Sequence, residues 1–595
     1  MNDKCRYPAM PYNDNISKTL NLVVIVAACL TSVIVKLKVL SIPDHFRTMG
    51  YTNPTADVFS WYKSLFVTLC GAVALFILLV YKSFDQRKFR FIDCLLLSIA
   101  ILAITSSIQA SNRIDGIYGV PNIFEGIQVT IAYLVLVSAS IRLSYLSTIK
   151  YLPIALLSTL ILIGISGLAE ANGIPLINHP LLTRLLMQEE GGWFSKYTPQ
   201  VIGVALPFGN PVYLGMYAAM MWPFFGALTV TGKSEFQRML FSIGAGAAFF
   251  LTLASYSRTA FIAGLISSCF GIIWLSAKRK ITVLSVFLLI AAHFSAFSIF
   301  KNSKNYISGG YRLSLNDELD ILQSPNITKD SYLVSYNTNQ ISNKKPDRIF
   351  ISNGRLHINR YGQTLLIEKQ LNGVRFMDGD FKPLLSKSNQ ERIEILDERF
   401  KSFALKIVHL DKLPLMVIDD LNIAMTPNGF RIGRAGIFVK PVVSQRFPLP
   451  INDYAFSSRG FIWSHTIPLL KDKWLTGSGP GSFPFEFPNN DVSAMHPFFG
   501  FTHIVDKPHN LYLSFAHSYG ILALFLLLSI FLWHFFHSLR ILLKYKDERA
   551  DNLLPYILGF LSFSLSAIFH DSTIGVATPF WIILGAGMGI NCSFK

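Results

Sequence analysis

Charged residues are scarce in this chain, 15% of 595, and cysteines number only 6, none of them between residues 302 and 508. A soluble protein of this length carries a larger charged fraction, so the scarcity excludes an ordinary cytosolic enzyme. The missing cysteines exclude a disulfide framework or a cysteine-based zinc site in that long polar stretch. The N-terminus lacks a convincing secretory cleavage site, so the first apolar run is expected to stay as an anchor. The glycine-rich Gly477-Ser-Gly-Pro-Gly481 lacks the Lys-Ser/Thr of a P-loop, which argues against a nucleotide site. No internal repeat is present.

Apolar sequence fills the space left by these absences, at 51% hydrophobic residues. Runs of spanning or near-spanning length lie near residues 19–35, 64–81, 93–109, 126–141, 151–169, 211–230, 239–255, 260–276, 281–300, 511–539, 553–569 and 575–591. They predict an α-helical polytopic membrane protein of about twelve transmembrane helices. Basic clusters at Lys4/Arg6, Lys82/Arg87/Lys88/Arg90, Arg142/Lys150, Lys233/Arg238, Lys278/Arg279/Lys280 and Arg540/Lys544/Lys546/Arg549 alternate as expected for a cytoplasmic N-terminus. Lys36 and Lys38 run against that pattern, and snorkelling or a longer first helix would absorb them. The net charge of +17 then follows from topology and contact with anionic membrane lipids, and no nucleic-acid partner is expected.

Four stretches follow from this reading: N-terminal membrane helices over 1–301, a soluble insert over 302–447, an outer loop carrying the site motifs over 448–508, and C-terminal membrane helices over 509–595. The insert reads as mainly β. Asn-Gly at 353/354, 372/373 and 428/429 and Asp-Gly at 378/379 separate short β-prone segments, and these pairs are strong hairpin signals. A helical patch is expected near 389–402. Asp378-Gly-Asp380 matches the DxD that holds a divalent cation in some glycosyltransferases, but a hairpin turn is the favoured reading.

The stretch from Thr476 to Gly520 carries most of the functional signal. Its glycines suit either a tight turn or an anionic ligand. Lys507-Pro-His509-Asn510 opens directly into an apolar run, so an ionisable group stands at a membrane boundary. Further motifs lie upstream: Phe208-Gly209-Asn210-Pro-Val-Tyr213, Ser257-Arg258-Thr259 between two helices, and Arg459 four residues before Trp463. Jointly these elements resemble the O-antigen ligase and polymerase superfamily of bacterial membrane glycosyltransferases, which also includes protein O-oligosaccharyltransferases. The resemblance covers about 205–300 and 455–590.

That resemblance implies transfer of a glycan from an undecaprenyl-diphosphate-linked donor to an acceptor hydroxyl, with inversion and without nucleotide, metal or other cofactor. It implies the bacterial cytoplasmic membrane as the location, with the active site facing outward, and a lipid, glycan or protein as the acceptor. Ligase, repeat-unit polymerase and protein oligosaccharyltransferase remain open. A transporter is the reading from another class, disfavoured by few midplane charges and the missing repeat. Arg258 and Arg459 are the expected diphosphate ligands, because a guanidinium fork matches phosphate oxygens and stays charged when desolvated. His509 is the expected base, since an imidazole titrates near neutrality. Lys507, His503, His570, Asp571, Gly479, Gly481 and Asn510 are expected to support them. His517, deeper in the same run, is expected to pack against its neighbours.

Overall fold

Long apolar runs form helices in a bilayer because a lipid-exposed backbone must satisfy its own hydrogen bonds. The computed structural model describes residues 14–43, 45–46, 55–80, 90–110, 112–146, 149–187, 196–198, 203–277, 282–303, 312–314, 348–360, 362–370, 373–388, 392–403, 405–410, 413–418, 421–426, 429–434, 437–499, 504–545 and 548–594. The N-terminal half holds α1 Asp14–Val33, α2 Trp61–Val80, α3 Arg90–Gln109, the short α4 Arg113–Tyr118, α5 Ile127–Tyr145, α6 Leu152–Ala171 and the short α7 Pro180–Leu186. It continues with α8 Pro211–Thr231, α9 Glu235–Ala254, α10 Arg258–Ala277 and α11 Val283–Asn302. The C-terminal part holds α12 Ala455–Thr466, α13 Phe483–Glu486, α14 Val492–Phe499, α15 Leu511–Tyr519, α16 Ile521–Lys544, α17 Glu548–Ser566 and α18 Ile574–Ser593.

Among the described residues, 11 helices are long and apolar enough to cross a membrane, so the chain is a multi-pass membrane protein. The expected helix near 553–569 is present as α17 but is not one of the eleven, because its first turn, Glu548-Arg549-Ala550-Asp551-Asn552, is polar. Residues 553–560 are nonetheless buried, and Ser562 Oγ donates to Ala219 O of α8 at 2.7 Å. α18 lies at the centre of the bundle and is almost wholly buried. Its small residues permit this: a Cβ on Gly585 would stand 2.6 Å from Val137 O, and one on Gly589 2.3 Å from Ile141 O, so α5 and α18 meet backbone to backbone. α11 is the least buried span and turns Phe287, Ile290 and Phe294 outward.

One expected helix is broken. The run read as 511–539 divides at Gly520, whose φ of 97° lies in the left-handed region. The break is held from outside, because Ile521 N–H donates to Lys473 O and Leu522 N–H to Trp474 O, both at 2.9 Å. These contacts satisfy two of the donors that every helix start leaves open. A Cβ at position 520 would lie 2.8 Å from Leu475 O. Gly520→Ala is expected to destabilise the protein by about 1–3 kcal/mol through backbone strain, read as a lower unfolding temperature in detergent.

Residues 348–439 form two antiparallel sheets. One has four strands, β5 Arg348–Ser352, β6 Arg355–Arg360, β7 Gln363–Gln370 and β8 Gly373–Met377; shorter pairs join β1 Lys38–Leu40 to β2 Thr55–Asp57 and β3 Lys196–Thr198 to β4 Arg312–Ser314. The other is a seven-stranded meander from β9 Ser386–Ser388 through β10 Arg392–Ile395, β11 Leu405–Leu410, β12 Leu413–Ile418, β13 Leu421–Thr426 and β14 Gly429–Arg434 to β15 Ile437–Val439. Asn353-Gly354 makes the two-residue turn between β5 and β6, with Ser352 opposite Arg355 and φ of 50° and 74° at the turn, as its sequence predicts. Asp378 Oδ1 accepts from the Asp380 and Lys382 N–H groups at 3.0 Å each, which makes Asp378-Gly-Asp380 a turn. The helical patch expected near 389–402 is instead β10 and a single 3-10 turn, Glu398–Phe400. Ile393 and Ile395 alternate with charged residues and both enter the core, a period of two that outweighs helix propensity. The sheets share one core, and Val492 of α14 belongs to it. Asn326-Ile-Thr328, formally a glycosylation sequon, and much of the expected insert before residue 348 lie outside the described residues.

Candidate active site

The start of α15 is built to project His509. Asn510 caps the helix, its side chain accepting from Leu513 N–H at 3.0 Å. Leu511 N–H donates to Ala567 O at 2.9 Å and to His570 O at 3.1 Å, and Tyr512 OH to Ser564 O at 2.9 Å. The segment is thereby fastened across the end of α17. His509 itself has a φ of 51°, a strained conformation for a residue with a Cβ and one that occurs where function over-determines geometry.

Asp571 faces His509, Oδ2 to Nδ1 at 3.5 Å. That separation is an ion-pair contact and not an aligned hydrogen bond. Asp571 is 3% exposed, and neither carboxylate oxygen has a hydrogen-bond partner among the described residues. Burial alone would raise its pKa, but His509 and the Lys507 ammonium outweigh it and hold the carboxyl below its usual range. A charged carboxylate therefore stands ready to orient or stabilise the imidazole.

α12 contributes two side chains one turn apart. Trp463 Nε1 donates to Pro508 O at 3.0 Å, fixing the peptide before His509. Arg459 Nη1 donates to Phe456 O at 2.6 Å and Nη2 to His570 Nδ1 at 3.1 Å, while its buried Nε has no partner among the described residues. Phe456, Ser457 and Ser458, immediately before it, have φ of 55°, 61° and 65°, a left-handed kink within the first turn of α12. Burial lowers the Arg459 pKa, and Asp571 and Tyr213 act against that.

Because His570 accepts at Nδ1, its proton sits on Nε2, where it bonds Thr259 Oγ1. Burial first, then Arg459 and His509, push the His570 pKa down to about 3, so this ring is a neutral bridge between α12 and α10. Arg258, the first residue of α10 and exposed, is thus one residue from a group that bonds His570. No contact of its guanidinium with His509 or Arg459 is among the described hydrogen bonds and ion pairs.

Lys507 is 8% exposed, and its Nζ lies 5.6 Å from the centroid of the Tyr213 ring in α8. Burial opposes its charge, but Tyr213, Glu125, Asp571 and Asp506 overcome that and raise its pKa. Glu125 is the residue that sequence reasoning missed. It precedes α5, accepts from Tyr133 OH at 3.1 Å, and has a pKa raised by burial to about 7. Its one sequence signal was an acid placed directly against an apolar run.

The remaining candidates fall elsewhere. Ser478 N–H donates to His517 O at 2.8 Å, Gly479 N–H to Ser518 O at 3.0 Å, and Gly477 N–H to Ser106 Oγ at 2.9 Å. A Cβ at Gly479 would lie 2.7 Å from that of Ala110, and one at Gly481 3.2 Å from Asp115 O. The glycine stretch therefore serves close packing against α3 and α4, and the donors of Gly477, Ser478 and Gly479 are spent within the protein. Asn510 is spent on its cap. His517 is fully buried with Nε2 3.0 Å from Glu486 Oε2, while His503 lies outside the described residues.

Residues 450–528 match the family described as O-antigen ligase. This match supports the O-antigen ligase superfamily for that stretch of the chain. No curated protein and no solved structure matches it at a significant level. The O-antigen ligase match includes Arg459, Trp463, Lys507 and His509, whereas Glu125, Arg258, His570 and Asp571 lie outside it. Contacts join His509 to Asp571 and Arg459 to His570 across that boundary.

Proposed function

We propose that this site transfers a glycan from an undecaprenyl-diphosphate-linked donor to an acceptor hydroxyl on the outer face of the bacterial cytoplasmic membrane, with inversion and without a metal. The observation that carries this reading is the pairing of His509 with the buried Asp571 beside the cationic Arg459 and Lys507. His509 takes the acceptor proton as the hydroxyl attacks the anomeric carbon, and the glycosidic oxygen leaves with the lipid diphosphate. Arg459, Lys507 and Arg258 hold the charge that develops on that leaving group. Asp571 keeps the imidazole oriented and stabilises its protonated form, a role that needs a carboxylate.

Proteoliposomes supplied with a lipid-diphosphate-linked glycan and a core acceptor test this. Transfer with an inverted linkage is expected, and Asp571→Asn is expected to slow it on the order of 10²-fold with the fold retained. Absence of transfer with every class of acceptor, lipid, glycan and protein, would remove the reading. Retention of configuration would remove the direct displacement.

A further inference from the structure

Beside the base and the cations lies a cluster of three aromatic rings that the proposed transfer leaves unused. The ring centroids of Phe456 and Phe569 are 4.7 Å apart, and that of Trp463 lies 6.1 Å from the first and 6.2 Å from the second. Each ring is tied to a different member of the site. Arg459 Nη1 donates to the Phe456 carbonyl at 2.6 Å, Phe569 directly precedes His570, and Trp463 Nε1 donates to Pro508 O, the peptide before His509, at 3.0 Å. Phe569 is set further by its own N–H, which donates to Ser566 O at 3.0 Å where α17 ends.

Packing alone does not account for the cluster. Phe456 is 45% exposed, and neither it nor Phe569 belongs to a hydrophobic core of the described residues. Phe456 also opens three consecutive non-glycine residues in the left-handed region, a backbone that costs free energy at each step. A large apolar ring is thus held half in water, on a strained kink, next to a guanidinium.

We propose that Phe456 and Phe569 form a stacking platform for the first sugar of the donor, the one bonded to the diphosphate. This rests on the glycan-transfer reading above. In that reaction the diphosphate lies on Arg459 and the acceptor oxygen at His509, so the sugar whose anomeric carbon is attacked occupies the ground between them. The rings are fastened to both flanks of that ground, whereas the prenyl chain leaves from the far side of the diphosphate. A pyranose suits such a surface, because its C–H groups present an apolar, weakly positive face to the negative face of an aromatic ring while its hydroxyls remain free for polar partners. The rings bind and orient the sugar, and they neither make nor break a bond.

Binding of undecaprenyl diphosphate, with and without a single N-acetylglucosamine, to the full-length protein in detergent tests this. The sugar-bearing lipid is expected to bind the wild type about three- to tenfold more tightly than the bare one. Phe456→Leu should erase that preference and leave the affinity for the bare lipid unchanged, while Phe456→Tyr should keep the preference. Leucine is not β-branched, so it adds no strain of its own at a φ of 55°. Phe569→Leu, outside the strained kink, should act in the same direction, with unfolding temperatures measured for both variants. A sugar preference that survives both leucine substitutions overturns the platform. An equal weakening of both lipids overturns it too, because it would seat the rings on the prenyl chain or the diphosphate, and so does equal binding of the two lipids by the wild type. Failure of the wild type to bind either lipid removes the diphosphate site, and this proposal with it.

Discussion

Replacing His509 by alanine is expected to lower glycan transfer by about 10²–10⁴-fold, the range lost when a positioned base is removed. The fold should survive, because the contacts that fasten this segment use the Asn510 side chain, Leu511 N–H, Tyr512 OH and the Pro508 carbonyl, and none uses the imidazole. His509→Asn is the companion variant, since asparagine tolerates the φ of 51° better than alanine does. Initial rates in proteoliposomes, with unfolding temperatures measured alongside, make the test. Undiminished transfer by either variant removes His509 as the base.

Arg459→Ala is expected to cost about 10²–10³-fold, the loss seen when one preorganised donor to developing charge is removed. The more informative variant is Arg459→Lys. A guanidinium reaches Phe456 O and His570 Nδ1 at once and still presents Nε, whereas an ammonium offers one point of charge and leaves at least one of those partners unpaired. Lysine is therefore expected to restore less than a tenth of the activity, and most of the loss should fall on kcat if the charge is met in the transition state. Full rescue by lysine would show that charge alone suffices and that the bridge through His570 to Thr259 has no part in catalysis.

The membrane architecture was legible because spanning length and apolarity are properties of single segments. Gly520 was not legible as a break, since a lone glycine is common inside membrane helices and the carbonyls that hold it open come from Lys473 and Trp474. The Asn353-Gly354 hairpin could be read locally, but Arg392–Ile395 became a strand through its neighbours in a sheet. At the site, His509 stood out by its position at a boundary, and Arg258 and Arg459 by their motifs. Glu125 did not, because an acid beside an apolar run looks like an ordinary helix edge until the fold brings Lys507 near enough to act on its charge. The glycine stretch gave the opposite difficulty: the same residues suit an anion cradle or a tight backbone crossing, and only the partners of their N–H groups tell the two apart.

The sharing of Val492 between α14 and the β-sheets has a practical consequence for anyone wishing to learn what the β region does. Asp491 Oδ2 accepts from Ser444 N–H at 2.7 Å, and Val442 N–H donates to Asn490 O at 3.2 Å, so the sheets and the loop leading to Lys507 are sewn together. Excising residues 302–447 would strip the partners from that seam and leave Val492 bare only fifteen positions before Lys507. An inactive deletion would then report a collapsed loop and say nothing of acceptor choice. Substitutions confined to outward side chains such as Phe381 and Leu385, 54% and 76% exposed, leave the seam closed and change only what the β region shows to other molecules.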